Sequence, residues 1–222
     1  MSHKREIEVI CPKCQEKGNF TVWDSINTDI HPEMRDKVLD FSAFTYHCPK
    51  CNSDIVTHYD MLYHDVNRRF IVYLMYNKEN YENTIYDIEH NQSTLKNIFG
   101  DQFGYTYRIV RDINTLIEKI QIFEHGLSDI AIEFLKVNRK KAFHDSNPEF
   151  AIDNLYLTFP EKDKYILEYY SNKTFIAEWE FDQEYCDKCN LSTHPKLDVS
   201  YIVDENSIID ALHKLYIYDF DI

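Results

Sequence analysis

The sequence predicts an α+β protein. It has a small N-terminal lobe with a β-hairpin, a central helix pair and a C-terminal α+β lobe. Three observations carry that reading. Two identical tetrapeptides, Cys11-Pro12-Lys13-Cys14 and Cys48-Pro49-Lys50-Cys51, bracket the N-terminal lobe. Apolar residues between Ile109 and Val137 recur at three- and four-residue spacing, as a buried helix face requires. Short β-branched and aromatic runs with turn residues between them lie on either side.

Taken in order, residues 5–10 read as a strand running into the first tetrapeptide, and 19–24 as a strand returning from it. Residues 32–40 predict a helix with Pro32 in its first turn, where a missing N–H costs little. Residues 41–47 lead back to the second tetrapeptide. Ile55–Tyr63 and Arg69–Tyr76 form the arms of the hairpin, with Asp65 to Arg68 at its turn. The Asn-rich stretch 81–107 reads as a linker that packs onto something through Phe99, Phe103 and Tyr105. A first helix runs from Ile109 to Phe123 and breaks at Gly126. A second runs from Ile130 and closes on Arg139-Lys140-Lys141, cations that suit a helix C-terminus. Strands follow over 155–159, 165–170, 175–181 and 196–203. A last helix over 206–216 is capped by Asn206 or Ser207. The expected divisions are 1–80, the linker 81–107, the helix pair 108–145 and the C-terminal lobe 146–222.

Composition removes several function classes. The 222 residues carry 38 Asp and Glu against 24 Lys and Arg, a formal charge of −14. That balance argues against gripping nucleic acid over the whole surface, because such binding draws on cations that displace counterions. Only four glycines occur, too few for the Gly-rich loops that cradle phosphates. No nucleophile elbow, HExxH helix or dinucleotide fingerprint is present. The N-terminus is charged with no apolar stretch behind it, and the longest apolar run is 70–76. A cytosolic chain with no membrane span is therefore expected.

All six cysteines lie in CxxC pairs. In a reducing compartment such pairs read first as metal ligands or redox couples. Two residues between thiols let one tight turn aim both sulfurs at one ion. Two such turns meeting make a closed tetrahedral Cys₄ site, the geometry of structural zinc. Cys11, Cys14, Cys48 and Cys51 are thus the expected ligands of a Zn²⁺, and the lobe reads as zinc-ribbon-like. The 33 residues between Cys14 and Cys48 exceed the usual ribbon spacing of roughly 15–20, and the helix at 32–40 accounts for the excess. Residues after each knuckle, up to Gly18 and at Asn52, include types that tolerate positive φ.

The paired CPxC motifs, Trp23-Asp24-Ser25-Ile26-Asn27 between them and Met61-Leu62-Tyr63-His64-Asp65 after them resemble the CpXC domain family of bacteria and archaea. The segment Leu116 to Ile120, then Gly126 to Asp129, Glu133 and Lys136, is similar to the helical part of its longer members. The resemblance implies the metal site and carries no activity.

Other signals are less specific. Cys186-Asp187-Lys188-Cys189 with His194, or with His213, suggests a second metal site, but the knuckle proline is missing. The plainer reading is a hairpin with two reduced thiols. His58, Asp60 and His64 on the hairpin are a candidate catalytic metal site, against ordinary surface polarity. His47 is a spare ligand that a complete Cys₄ set does not need. Lys13, Lys17, Lys50, Arg68 and Arg69 offer a local basic face. Glu178, Glu180, Asp182 and Glu184 alternate along a strand and offer an acidic face for a basic partner. Three functions follow: a zinc-stapled module that binds another protein, a nucleic-acid-binding zinc ribbon, or a metal-dependent enzyme. The first is favoured, because closed ligation and aromatic richness suit binding.

Overall fold

Strands β1 (His3–Ile10) and β2 (Lys17–Asn27) pair antiparallel up to Ile10↔Lys17, so the first CPKC tetrapeptide is the tip of a hairpin. The computed structural model describes residues 2–77, 80–99, 104–193 and 200–218. The chain is mixed α+β and divides into two compact units, Met1–Ile117 and Glu118–Ile222.

In the first unit, helix α1 (Glu33–Leu39) follows β2 with Pro32 as its N-cap, and buries Met34 and Val38. A 3₁₀ turn (Ser42–Phe44) leads to β3 (Thr45–His47), which pairs with β4 (Asp54–Val56) around the second tetrapeptide. β5 (Met61–Asp65) and β6 (Phe70–Leu74) form the expected hairpin. Asp65 closes its turn by accepting from the Arg68 N–H and the Arg68 guanidinium, each at 2.8 Å. The first arm is shorter than expected, because 54–56 pair with β3 instead.

Residues 81–99, expected as linker, form helix α2 (Tyr81–Phe99). Its inward positions among the first ten are Tyr81, Thr84, Ile85 and Ile88, at the i, i+3, i+4, i+7 spacing of one face. Only two of those are aliphatic, which is why the stripe is hidden among polar residues. The chain then enters strand β7 (Thr106–Val110), parallel to β6, where a helix was expected to begin. Ile109 is four residues before Ile113 and fits the helical period by coincidence; 107–110 are all buried, as a parallel strand covered on both faces requires. The five strands lie in the order β1-β2-β5-β6-β7, with β2·β5 and β6·β7 parallel.

Helix α3 (Ile113–Glu124) carries the chain into the second unit. Gly126, at φ +68, ends it, and the Leu127 N–H reaches back to the Ile122 carbonyl at 3.0 Å, the wrap that a left-handed residue allows. Ser128 caps α4 (Asp129–Ser146). This helix runs past the basic cluster, so the macrodipole is not what places those cations. Lys140 pairs with Glu205 at 2.6 Å, and the Arg139 guanidinium lies 3.7 Å over the Trp179 ring. Strands β8 (Asn154–Glu161), β9 (Lys164–Ser171) and β10 (Thr174–Asp182) make an antiparallel meander. Its core joins Ile122, Leu127, Ile132 and Leu135 to Leu157, Leu167, Tyr169 and Phe181. α5 (Gln183–Lys188) follows, then α6 (Glu205–Tyr218). The α6 cap is Asp204, not Asn206 or Ser207. Its carboxylate accepts from the Ser207 N–H at 2.9 Å and Ser207 Oγ accepts the Asp204 N–H in return. The strand expected over 196–203 falls partly outside the described residues, and 200–203 form none.

Five charged side chains lie buried among the described residues of this second unit. Lys119 contacts Asp129 (3.3 Å) and Glu133 (3.1 Å); Lys136 contacts Glu118 (2.6 Å) and Glu133 (3.1 Å). Glu118 also accepts the Leu157 N–H at 2.5 Å. Burial would raise the Glu133 carboxyl, but the two ammoniums outweigh it and hold it below its ordinary value. Lys136 is raised: burial opposes its charge, and Glu118 and Glu133 prevail.

Candidate metal centre

The two knuckles are built alike. In the first, the Gln15 N–H donates to the Cys11 carbonyl (2.9 Å) and the Cys11 N–H to the Glu16 carbonyl (2.8 Å). In the second, Asn52 donates to Cys48 (2.9 Å) and Cys48 to Ser53 (3.0 Å). Each turn closes through one residue in the left-handed region, Gln15 at φ 60 and Asn52 at φ 54. The second was expected; in the first the position falls to Gln15. Gly18 has another reason to be small. A Cβ there would overlap the hydroxyl of Tyr46, which is buried against the cluster.

These turns bring the four thiols together. Cys11 Sγ lies 3.6 Å from Cys51 Sγ, and Cys14 Sγ lies 3.6 Å from Cys48 Sγ. All four sulfurs fall within 4.8 Å of one another. A tetrahedral ion with metal–sulfur bonds of about 2.3 Å needs sulfurs roughly 3.8 Å apart. The cluster can therefore hold a metal ion, and no cysteine is in a disulfide. Cys11 and Cys48 are fully buried, whereas Cys14 and Cys51 are partly exposed.

Crowding splits the thiols electrostatically. At Cys14 a backbone N–H favours the thiolate, but burial and the three neighbouring thiols outweigh it and push the pKa up to about 12. At Cys51 the Ser53 hydroxyl and N–H support the thiolate, and the pKa is pulled down to about 6. Tyr46 is raised by burial first and then by Cys48 and Cys11, and its hydroxyl has no hydrogen-bond partner among the described residues. The thiols press against one another, and a cation among them would favour their thiolate forms. Tyr46, Gly18 and Ser53 are the parts that spacing alone did not reveal. Ser53 has a faint signal, since it occupies in the second knuckle the place of Glu16 in the first.

Among the described residues, the remaining expected site residues form no second cluster. The knuckle cysteines are the only metal-ligating group of three or more among the described residues. The His58 ring stands edge-on to Tyr76, Asp60 accepts the Tyr76 N–H, and His64 meets the Tyr105 hydroxyl at 3.2 Å. His47 pairs with Asp54 at 2.8 Å, which raises it. Cys186 and Cys189 lie on and just after α5 rather than on a hairpin. Cys186 is buried, and burial pushes it up to about 12. His194 and the His213 side chain lie outside the described residues.

The expected charged faces are largely matched internally. Lys17 pairs with Glu8, Lys50 with Glu16 and Arg68 with Asp65. On the acidic strand, Glu180 pairs with Lys164, Glu184 with Lys188, and Asp182 caps α5. No helix among the described residues is long and apolar enough to cross a membrane. A family model described as CpXC protein matches residues 9–136, more than half of the chain. No curated protein and no solved structure matches significantly.

Proposed function

The chain belongs to the CpXC family, and on that premise we propose that it is a cytoplasmic protein-interaction module stapled by one structural Zn²⁺. The observation that carries this reading is the four-sulfur cluster, with every sulfur within 4.8 Å of the others. Cys11, Cys14, Cys48 and Cys51 fill all four tetrahedral positions and leave none for a substrate. An all-thiolate set suits zinc better than harder divalent ions. The ion supplies fixation: it ties the β1–β2 hairpin to the β3–β4 hairpin. A reducing compartment keeps the thiols available for it. The nucleic-acid reading loses support from the knuckle surface, where Lys17 and Lys50 are each held by a carboxylate.

Metal analysis of the purified full chain tests the proposal. One zinc per chain is expected, released only as the knuckle region unfolds. A chain folded in full without metal, or one whose metal exchanges freely and supports turnover, would overturn it. Affinity capture with the zinc-loaded chain should recover a stoichiometric protein partner.

A further inference from the structure

The first unit holds a cavity of about 350 Å³ between the β1–β2 face and α1. Trp23 and Met34, both nearly buried, form its floor. Lys4 and Lys37, both exposed, stand on its rim. Alternation along β1 turns Lys4 away from His3 and Arg5, which are both taken by Asp24. Lys17, Lys50, Lys140, Lys164 and Lys188 each reach a carboxylate. Lys4 and Lys37 make no ion pair among the described residues. The Lys4 ammonium lies 5.3 Å over the Trp23 ring, and the His31 ring meets the same indole edge-on at 4.9 Å.

From this geometry we infer that the cavity binds an acidic side chain of a partner protein, its carboxylate between Lys4 and Lys37 and its short apolar stem against the half-buried Phe20. The inference rests on the protein-interaction reading and gives that partner a chemistry. It differs from the basic partner that the charge of the chain suggests. Two ammoniums beside an apolar floor fit a carboxylate on a short hydrocarbon stem. Glu33 on the same rim opposes a doubly charged group. A stacked nucleobase is disfavoured, because Trp23 is only 9% exposed and its face is already covered by Lys4. 

Fluorescence of Trp23 in the full-length, zinc-loaded Trp179→Phe chain is the readout, and the Trp23 indole NMR signal of the native chain repeats it without that substitution. The probes are acetyl-Phe-Glu-Phe-amide and its Gln counterpart. The Glu peptide should change the signal saturably, bind at least tenfold more tightly than the Gln peptide and weaken with salt. Lys4→Gln/Lys37→Gln should lose at least tenfold, while Lys162→Gln/Lys173→Gln, an equal change of net charge elsewhere, should lose nothing. Equal binding of the two peptides, no response in either readout, or tighter binding of oligouridylate would overturn the inference. Partner capture separates it from the reading beneath it. A partner retained by Lys4→Gln/Lys37→Gln sinks the pocket alone; peptide binding with no partner captured sinks the interaction reading alone.

Discussion

The knuckle cluster of the first unit gathers four ionisable thiols whose nearby cation, Lys50, is exposed and taken by Glu16, whereas the α3–α4 region of the second gathers three carboxylates around two ammoniums. Both are buried polar centres within a small core, and burial penalises charge in both. The second draws its countercharges from its own chain, two ammoniums against three carboxylates, and burial holds Glu118 toward its protonated form. The first can settle only by keeping protons on its sulfurs or by admitting a metal. On the proposed staple the same cost is met once from within and once from outside, so the first unit's stability should depend on metal supply and the second's should not.

Removing the metal is the largest way to break that comparison. Structural zinc contributes roughly 10–16 kcal/mol of apparent folding energy in small zinc peptides. Chelation, or Cys11→Ser or Cys48→Ser in the full chain, should abolish zinc binding and open the β1–β2 and β3–β4 hairpins to hydrogen exchange. Amides of β8–β10 should stay protected. Protection retained at the knuckles without metal would refute the staple.

The second unit breaks differently. Lys136→Met leaves Glu118 buried with no ammonium in contact and Glu133 with Lys119 alone, and should cost about 3–5 kcal/mol, read from urea unfolding. Zinc content should not change. The pH dependence has a definite sign. Glu133 is held below its unfolded value, so its contribution is present above that value and lost as pH falls through the lowered one. Lys136 is raised, so its contribution is full below the ordinary lysine value and lost only as pH rises through the raised one. The window between them covers neutral pH. Acid should also release the metal as protons take the thiolates. In the chelated chain the metal-release component should vanish while the Glu133 loss remains, and thermal unfolding with and without chelator separates the two.

These centres were unequally legible in the sequence. A knuckle is local: four residues fix the turn and the spacing names the ligand, so Cys11, Cys14, Cys48 and Cys51 stood out. The ion network is tertiary. Glu118, Lys119, Glu133 and Lys136 have the types and spacing of a solvated helix face, and nothing in their order says they are buried. The same limit hid α2, whose inward stripe has few aliphatic residues, and β7, where four buried residues in a row mimic the start of the next helix. The strands of the meander were legible because turn residues bound each run: Lys162-Asp163 and Asn172-Lys173 separate them, with Asp163, Asn172 and Lys173 at positive φ.

A smaller effect sharpens the first half of the comparison. Gly18→Ala forces a methyl group into the Tyr46 hydroxyl beside the knuckles. Overpacking of this kind costs typically about 1–3 kcal/mol. The cost should fall on the knuckle hairpins and appear as faster zinc loss to a chelator, with the unfolding of β8–β10 unchanged. The variant Tyr46→Phe on the Gly18→Ala background removes the nearest atom in the way and leaves the ring carbon Cζ at 2.8 Å to shift slightly, so it should recover part of the loss. Failure to recover would mean that the backbone, not the phenol, sets the constraint.

The smallest effect sharpens the second half. Lys164 and Glu180 make an ion pair of 3.1 Å, about as short as the Lys119–Glu133 contact. Yet their side chains are 36% and 56% exposed, against 1% and 8%. Distance alone would rank the two pairs as equals. Water screens the exposed pair and solvates either partner when the other is removed, so little is lost. Glu180→Gln should leave the urea midpoint within error of the native chain at both low and high salt, where Glu133→Gln shifts it strongly at both. A comparable shift from Glu180→Gln would mean that proximity, not burial, decides what these charges contribute.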